Sequence, residues 1–162
     1  MNSMSSVTID LLSNHIEAIP VLKKLFESEW EPYYGKSGPG DAESDLKASL
    51  NQTELPIAIV AKHDEIYCGT AALKKESVTS YPDYSPWLAA LIVAPEYRKR
   101  GIGELLIKNI EELAKKLDYE ELYVGTGEKS GVSDAMLIKR NWKFIDKSEY
   151  FVSEVSIFSK TL

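Results

Sequence analysis

The residues best suited to chemistry stand together at Arg98-Lys99-Arg100-Gly101-Ile102-Gly103, between an apolar run and an amphipathic one. The start of a helix presents backbone N–H groups that have no helical partner, with a partial charge of about +0.5. Amides just ahead of it can wrap an anion if the chain is free to come close. Gly101 and Gly103 permit that approach, and Arg98, Lys99 and Arg100 add positive charge beside it. The combination suits a phosphate-like ligand. A Walker loop would need Gly-x-x-x-x-Gly-Lys-Ser/Thr, a string that does not occur here. A dinucleotide fingerprint would need a third glycine where Leu106 stands, in a unit that opens a parallel sheet.

The elements that must position this loop follow from periodicity. The nearly continuous apolar run over 87–93 reads as a central, buried strand, closed by Ala94-Pro95-Glu96-Tyr97. From Gly101 the pattern turns helical. Ile102, Leu105, Leu106, Ile110, Leu113, Ala114 and Leu117 form one stripe, with Glu111, Glu112, Lys115 and Lys116 opposite. Upstream, a strand is predicted over 7–12, then a helix that starts at Ser13-Asn14 and fades by Trp30, ahead of Pro32. A Gly/Pro-punctuated loop over 30–40 leads to a second helix, capped by Asp41 and reaching Gln52. Strands over 57–62 and 66–75 flank a hairpin at His63-Asp64-Glu65. After a Tyr/Ser/Pro-rich loop over 77–86 and the elements above come a strand over 122–125 and a short helix over 132–140 that Asn141 can end. An antiparallel pair over 143–146 and 152–159 closes the chain.

A length of 162 residues fits one domain, 1–162, with 44% hydrophobic and 27% charged residues near globular averages. The formal charge of −6 opposes a sequence-independent nucleic-acid binder. A single cysteine, Cys68, excludes an internal disulfide framework and argues for a reducing interior. The start, Met1 to Ser6, has no basic segment followed by an apolar run, and no stretch approaches a membrane span. A cytoplasmic protein is expected, with no membrane partner. His15 reads as a helix-start residue, His63 as a hairpin residue and Cys68 as a small core residue, so no metal constellation can be assembled.

The segment from Leu91 to Gly103 resembles the acetyl-CoA signature of the GCN5-related N-acetyltransferase (GNAT) superfamily, Gln/Arg-x-x-Gly-x-Gly/Ala, and the order of elements resembles that fold from Val7 to Leu162. The resemblance implies an α+β, three-layer fold: a central mixed, mostly antiparallel sheet flanked by helices. It implies acetyl-CoA as co-substrate and no metal. Backbone groups of Ile92 and Val93 would pair with the pantetheine arm. The amides around Arg98, Lys99, Arg100, Gly101, Ile102, Gly103 and Glu104 would hold the pyrophosphate. The two central strands, 87–93 and 122–125, would splay to admit the acyl group. The reaction implied is direct attack of an amine on the thioester, with an oxyanion donor near Val93.

The chain departs from its relatives at one place. Many carry tyrosine, the usual general acid, where this chain has Leu137, and the strand over 87–93 offers no carboxylate as base. The remaining candidates are Tyr123, which could donate to the thiolate, and Glu128 just beyond that strand. Asp83 and Tyr84 precede the coenzyme strand, and Glu96 sits at the phosphate turn. Trp30, Tyr33 and Tyr34 gather in a region that the family uses for its acceptor. Glu27, Glu29, Glu31, Asp41, Glu43 and Asp45 lie close in sequence, and aromatic faces with carboxylates suit an organic cation. The expected function is therefore an N-acetyltransferase whose acceptor is a small cationic amine (polyamine, aminoglycoside-like or amino-acid-like), and a homodimer is compatible with it. The alternatives are a non-catalytic acyl-CoA sensor and a protein N-terminal or lysine acetyltransferase.

Overall fold

The computed structural model describes residues 6–78, 80–127, 132–150 and 153–162. Seven strands form one sheet in the order β1-β2-β3-β4-β5-β7-β6. They are β1 (Val7–Leu11), β2 (Ile57–His63), β3 (Ile66–Lys74), β4 (Trp87–Val93), β5 (Glu121–Thr126), β6 (Lys143–Tyr150) and β7 (Ser153–Thr161). Neighbours run antiparallel except β4 and β5, which are parallel. The sheet is thus mixed and mostly antiparallel, as the resemblance implies.

One face is covered by α1 (Ile19–Glu29), the single turn α2 (Glu31–Tyr34) and α3 (Ala42–Ala48). Their core holds Leu22, Phe26, Leu46, Val60, Ala72 and Ile92. The other face is covered by α4 (Ile102–Lys116) and α5 (Asp134–Lys139). Here Leu73, Leu88, Leu91, Leu106, Ile107, Ile110, Leu122, Leu137 and Phe158 pack together. Each fully buried aliphatic of this kind contributes about 1.5–3 kcal/mol. A third cluster, under the loop before β4, joins Val78, Trp87, Val155 and Ile157, with Tyr81, Tyr84 and Tyr123 against it. Gly69 lets β3 press close to β4 and to α4: a Cβ there would lie 3.0 Å from the Ile92 carbonyl oxygen and 3.3 Å from Leu106.

Local boundaries differ from the periodicity reading for identifiable reasons. α1 begins at Ile19, after 3₁₀ turns at Leu12–Asn14 and Ile16–Ala18, because Pro20 favours the first helical turn; neither Ser13 nor Asn14 caps it. The segment expected to be all loop contains α2, with Pro32 in its first turn. α3 stops at Ala48 rather than Gln52: the Asn51 side chain bonds the Ala48 carbonyl at 3.1 Å, and Leu50 bridges Ile57. The β2–β3 hairpin is tighter than expected, with Asp64 left-handed at φ 54°. β6 runs on past Asp146 along largely exposed residues that give no apolar alternation to read. Glu111, expected on the solvent side of α4, is 7% exposed. It accepts from Arg140 at 2.7 and 3.1 Å, from Trp142 Nε1 at 2.9 Å, and pairs with Lys160 at 3.1 Å. That knot ties α4 to the end of α5 and to β7. Burial alone would raise the Glu111 pKa, but hydrogen bonds from Arg140, Trp142 and Lys160 outweigh it and hold it below the usual carboxylate range.

Candidate active site

The site begins with an irregularity in β4. Thr70 pairs with Ile92 and Ala72 with Ala89, so Ala90 and Leu91 together face Ala71. That is a β-bulge, and Ala90 absorbs it with φ 53°. On its other side β4 pairs with β5 only at Trp87↔Tyr123 and Leu88↔Val124. Beyond Leu88 the two strands share no ladder. The gap that follows is bounded by two inner strand edges, which can give backbone N–H and C=O groups to an extended amide-bearing ligand. Ile92 and Val93 stand on the β4 side of it, both buried on their side-chain faces. The splaying expected of the central strands is present.

The gap leads to the basic turn. Ala94 N–H bonds the Cys68 carbonyl at 2.8 Å, and Pro95–Tyr97 makes one 3₁₀ turn. Lys99 then adopts φ 63° and Gly101 φ 85°, both left-handed. Gly101 is the N-cap of α4 and gives no side-chain cap, and the first helical bond closes at Leu105 N–H to Gly101 carbonyl, 3.1 Å. The amides of Ile102, Gly103 and Glu104 therefore head the helix without a capping side chain. By contrast α3 is capped by Asp41 on Ser44 N–H, and α5 by Ser133 on Met136 N–H. An anion is the natural cap for such a turn.

The cations around it are not equivalent. Arg98 donates from Nε to the Val93 carbonyl at 3.0 Å and pairs with Glu29 at 2.7 Å, fastening the turn to β4 and to the end of α1. Arg100 lies 5.0 Å from the centre of the Tyr97 ring. Lys99 is exposed, and among the described residues neither Lys99 nor Arg100 forms an ion pair. Glu104 turns its carboxylate away, to Lys139 at 3.1 Å and Arg140 at 3.4 Å. The Lys139 hydrogen bond leads in holding it below the usual carboxylate range.

On the α1 face, Trp30 and Tyr34 pack on the core that includes Ala90 and Ile92. Phe26 lies 5.0 Å from Trp30 and 5.3 Å from Tyr34, and Tyr33 meets Tyr34 edge-on at 4.7 Å. The structure brings this wall to the bulge. It commits most of the nearby acids elsewhere: Asp45 accepts from Tyr34 at 2.6 Å, Glu29 holds Arg98, Glu43 holds Lys47 at 3.3 Å, and Asp41 caps α3.

Tyr123 sits at the closed end of the seam, paired with Trp87 one residue before the last pair. Its ring stacks on Tyr84 at 4.5 Å, and Tyr84 stacks on Tyr81 at 5.1 Å. Burial, with Glu121 and Tyr84 adding, pushes its phenol pKa up. Glu128 lies outside the described residues. Leu137 is fully buried, so the position of the family's tyrosine is plain core. Asp83 and Glu96 are exposed. Cys68 is buried, with burial pushing its thiol up, and takes no part. His15 bonds Asp10 and Tyr67, and His63 bonds Ser6. Among the described residues no group of three or more His, Cys, Asp or Glu could hold a metal ion, and no helix is long and apolar enough to cross a membrane. The sequence reading missed Ala90, since nothing marks an alanine for φ > 0. It named Tyr84 but passed over Tyr81, whose spacing Tyr81-x-x-Tyr84 before β4 was the available signal for the stack.

The sequence profile of the acetyltransferase (GNAT) family matches residues 22–137. Among curated proteins none matches in sequence. Solved structures do match in fold. An aminoglycoside 6'-N-acetyltransferase complexed with coenzyme A superposes with a TM-score of 0.73 at 17% identity, over 95% of this chain and 96% of that one. An IAA acetyltransferase from Bacillus cereus ATCC 14579 gives 0.67 at 19%, over 97% and 100%. A GNAT family acetyltransferase from Elizabethkingia anophelis with acetyl-CoA bound gives 0.64 at 18%, over 97% and 99%. At such identities the likeness is one of fold.

Proposed function

The chain belongs to the acetyltransferase (GNAT) family and is an acetyl-CoA-dependent N-acetyltransferase; on that premise we propose that its acceptor is a small-molecule amine. The observation that supports the coenzyme's place is the seam that ends at Leu88 and opens toward the uncapped first turn of α4. The diphosphate of acetyl-CoA caps that turn, with Lys99 and Arg100 beside it, and the pantetheine arm lies along Ile92 and Val93. The aminoglycoside acetyltransferase among the fold relatives supports a small amine as acceptor.

A neutral amine attacks the thioester carbonyl, the C–N bond forms, and the oxyanion accepts a backbone hydrogen bond at the bulged stretch of β4. Collapse breaks the C–S bond. The thiolate takes a proton and leaves as coenzyme A, and the proton lost from the amine passes to water. A lysine-like amine costs about 4–5 kcal/mol to deprotonate at pH 7, whereas an α-amine near pKa 7.7–8.0 costs about 1. With no carboxylate on β4, the second kind of amine is favoured. Tyr123 is assigned to thiolate protonation, and Glu128 is the carboxylate to test as proton acceptor.

Thiol release from acetyl-CoA with a panel of amines tests the reading. Turnover with small amines and none with peptide N-termini or protein lysines is the expected result. Modification of peptides alone would overturn it in favour of a protein acetyltransferase. Binding of acetyl-CoA without any amine-dependent turnover would overturn it in favour of a sensor.

A further inference from the structure

The face of the sheet that carries the acceptor wall also carries a cation that the coenzyme loop does not use. Lys74 closes β3, and its register partner is Trp87 on β4. Trp87 in turn pairs with Tyr123 on β5. Cross-strand partners share a face, so Lys74, Trp87 and Tyr123 form one row. Ala72, two residues before Lys74, packs in the core under α1 and α3, which places the row on their side of the sheet. The row crosses β4 at the closed end of the seam. From there to the bulge at Ala90 is three residues of strand, about 10 Å.

Lys74 is half-buried, and burial holds its ammonium below the ordinary lysine range, with Asp45 offsetting part of the effect. Among the described residues it forms no ion pair. Of the acids of the neighbouring wall, Glu29 is paired with Arg98, Glu43 with Lys47 and Asp41 caps the first turn of α3, while Asp45 accepts from the neutral Tyr34 hydroxyl and acts on Lys74 without an ion pair. A cation held partly out of water, with only the partial offset of Asp45 and no anion in contact, is incompletely satisfied. A carboxylate brought by a ligand would satisfy it with a charge-assisted hydrogen bond.

We propose that Lys74 binds a carboxylate of the acceptor, so that the acceptor is an acid-bearing amine of amino-acid or dipeptide form. Its amine reaches the thioester at the bulge while its acid rests on Lys74, beside the Tyr84–Tyr123 stack. The inference rests on the small-amine reading above and narrows it. A polycation, by contrast, meets Lys74 as a like charge.

The test is steady-state thiol release by the full chain with matched pairs: amino acids and dipeptides against their C-terminal amides, and a polyamine as a third arm. The wild-type enzyme is expected to favour the acid of each pair by about 10- to 100-fold in kcat/KM, the range for a hydrogen bond to a charged group. Lys74→Met is expected to raise KM for the acids by a similar factor, to leave the amides within about twofold, and Lys74→Arg to recover part of the loss. A wild-type preference for amides or the polyamine, or an equal loss on acids and amides in Lys74→Met, overturns the role of Lys74 and leaves the small-amine reading standing. Absence of turnover with every small amine removes both. Thermal melts of each variant with acetyl-CoA separate lost recognition from lost folding.

Discussion

Replacing Ala90 tests whether the β4 bulge makes the cleft. Alanine at φ 53° carries about 1–2 kcal/mol of left-handed strain. Glycine relieves it but adds about 0.5–1 kcal/mol of unfolded-state entropy, so Ala90→Gly should lie between neutral and about 1.5 kcal/mol more stable. Valine, branched at Cβ, fits this conformation poorly and should cost about a further 1–2 kcal/mol. For a chain of this size that lowers the melting midpoint by about 2–8 °C. The strand cannot simply relax, because losing the bulge shifts everything after it by one residue. Leu91 and Val93 would then turn to the α1 face and Ile92 to the α4 face. Urea or thermal unfolding gives the stability, and thiol release with the best amine gives kcat/KM. Ala90→Val should lose at least about tenfold in kcat/KM, worth roughly 1.4 kcal/mol, while Ala90→Gly stays near wild type. A valine variant as stable and as active as the parent, or a glycine variant that loses as much as valine, refutes the reasoning.

Gly101→Ala forces a side chain to φ 85° in the coenzyme turn; about 1–2 kcal/mol of strain should weaken acetyl-CoA binding about tenfold by calorimetry, with little change in the far-UV spectrum. Tyr123→Phe should lower kcat several-fold and leave acetyl-CoA affinity intact; unchanged turnover would return Tyr123 to a packing role. Glu111→Gln strands Arg140 and Lys160 around a neutral amide and should cost about 3–5 kcal/mol in unfolding experiments. Because the Glu111 pKa is depressed in the folded state, its stabilisation is complete above the unfolded value of about 4.3. It is lost as pH falls through the lower folded value. Unfolding free energy of the wild type should therefore decline in that acid window, and the decline should be shallower in Glu111→Gln.

Most of the architecture was legible because its signals are local. The apolar run of β4, the stripe of α4 and the left-handed Gly101 each state a requirement within a few residues. The capping roles of Asp41 and the left-handed Asn141 were legible for the same reason. The rest depends on partners distant in sequence. Glu111 reads as solvent-facing until Arg140, Trp142 and Lys160 converge on it. Arg98 reads as one cation of the basic turn, and its contacts with Glu29 and the Val93 carbonyl have no local signal. Lys74 lies near the end of the predicted strand over 66–75, and only the register puts it in one row with Trp87 and Tyr123. Ala90 has no sequence signature, since the bulge arises from how β3 and β4 count against each other.

With only two residue pairs between β4 and β5, the molecule resembles a book whose binding is sewn at one end. The pages β1 to β4 and β5 to β6 are held at Trp87 and Leu88 and otherwise lean on the covers formed by the helices. On the proposed placement, a coenzyme arm laid between the pages would act as the missing stitching. Its arrival should then slow amide exchange in β5 and β7, strands away from the proposed diphosphate turn, because the ligand would complete the sheet as well as occupy it.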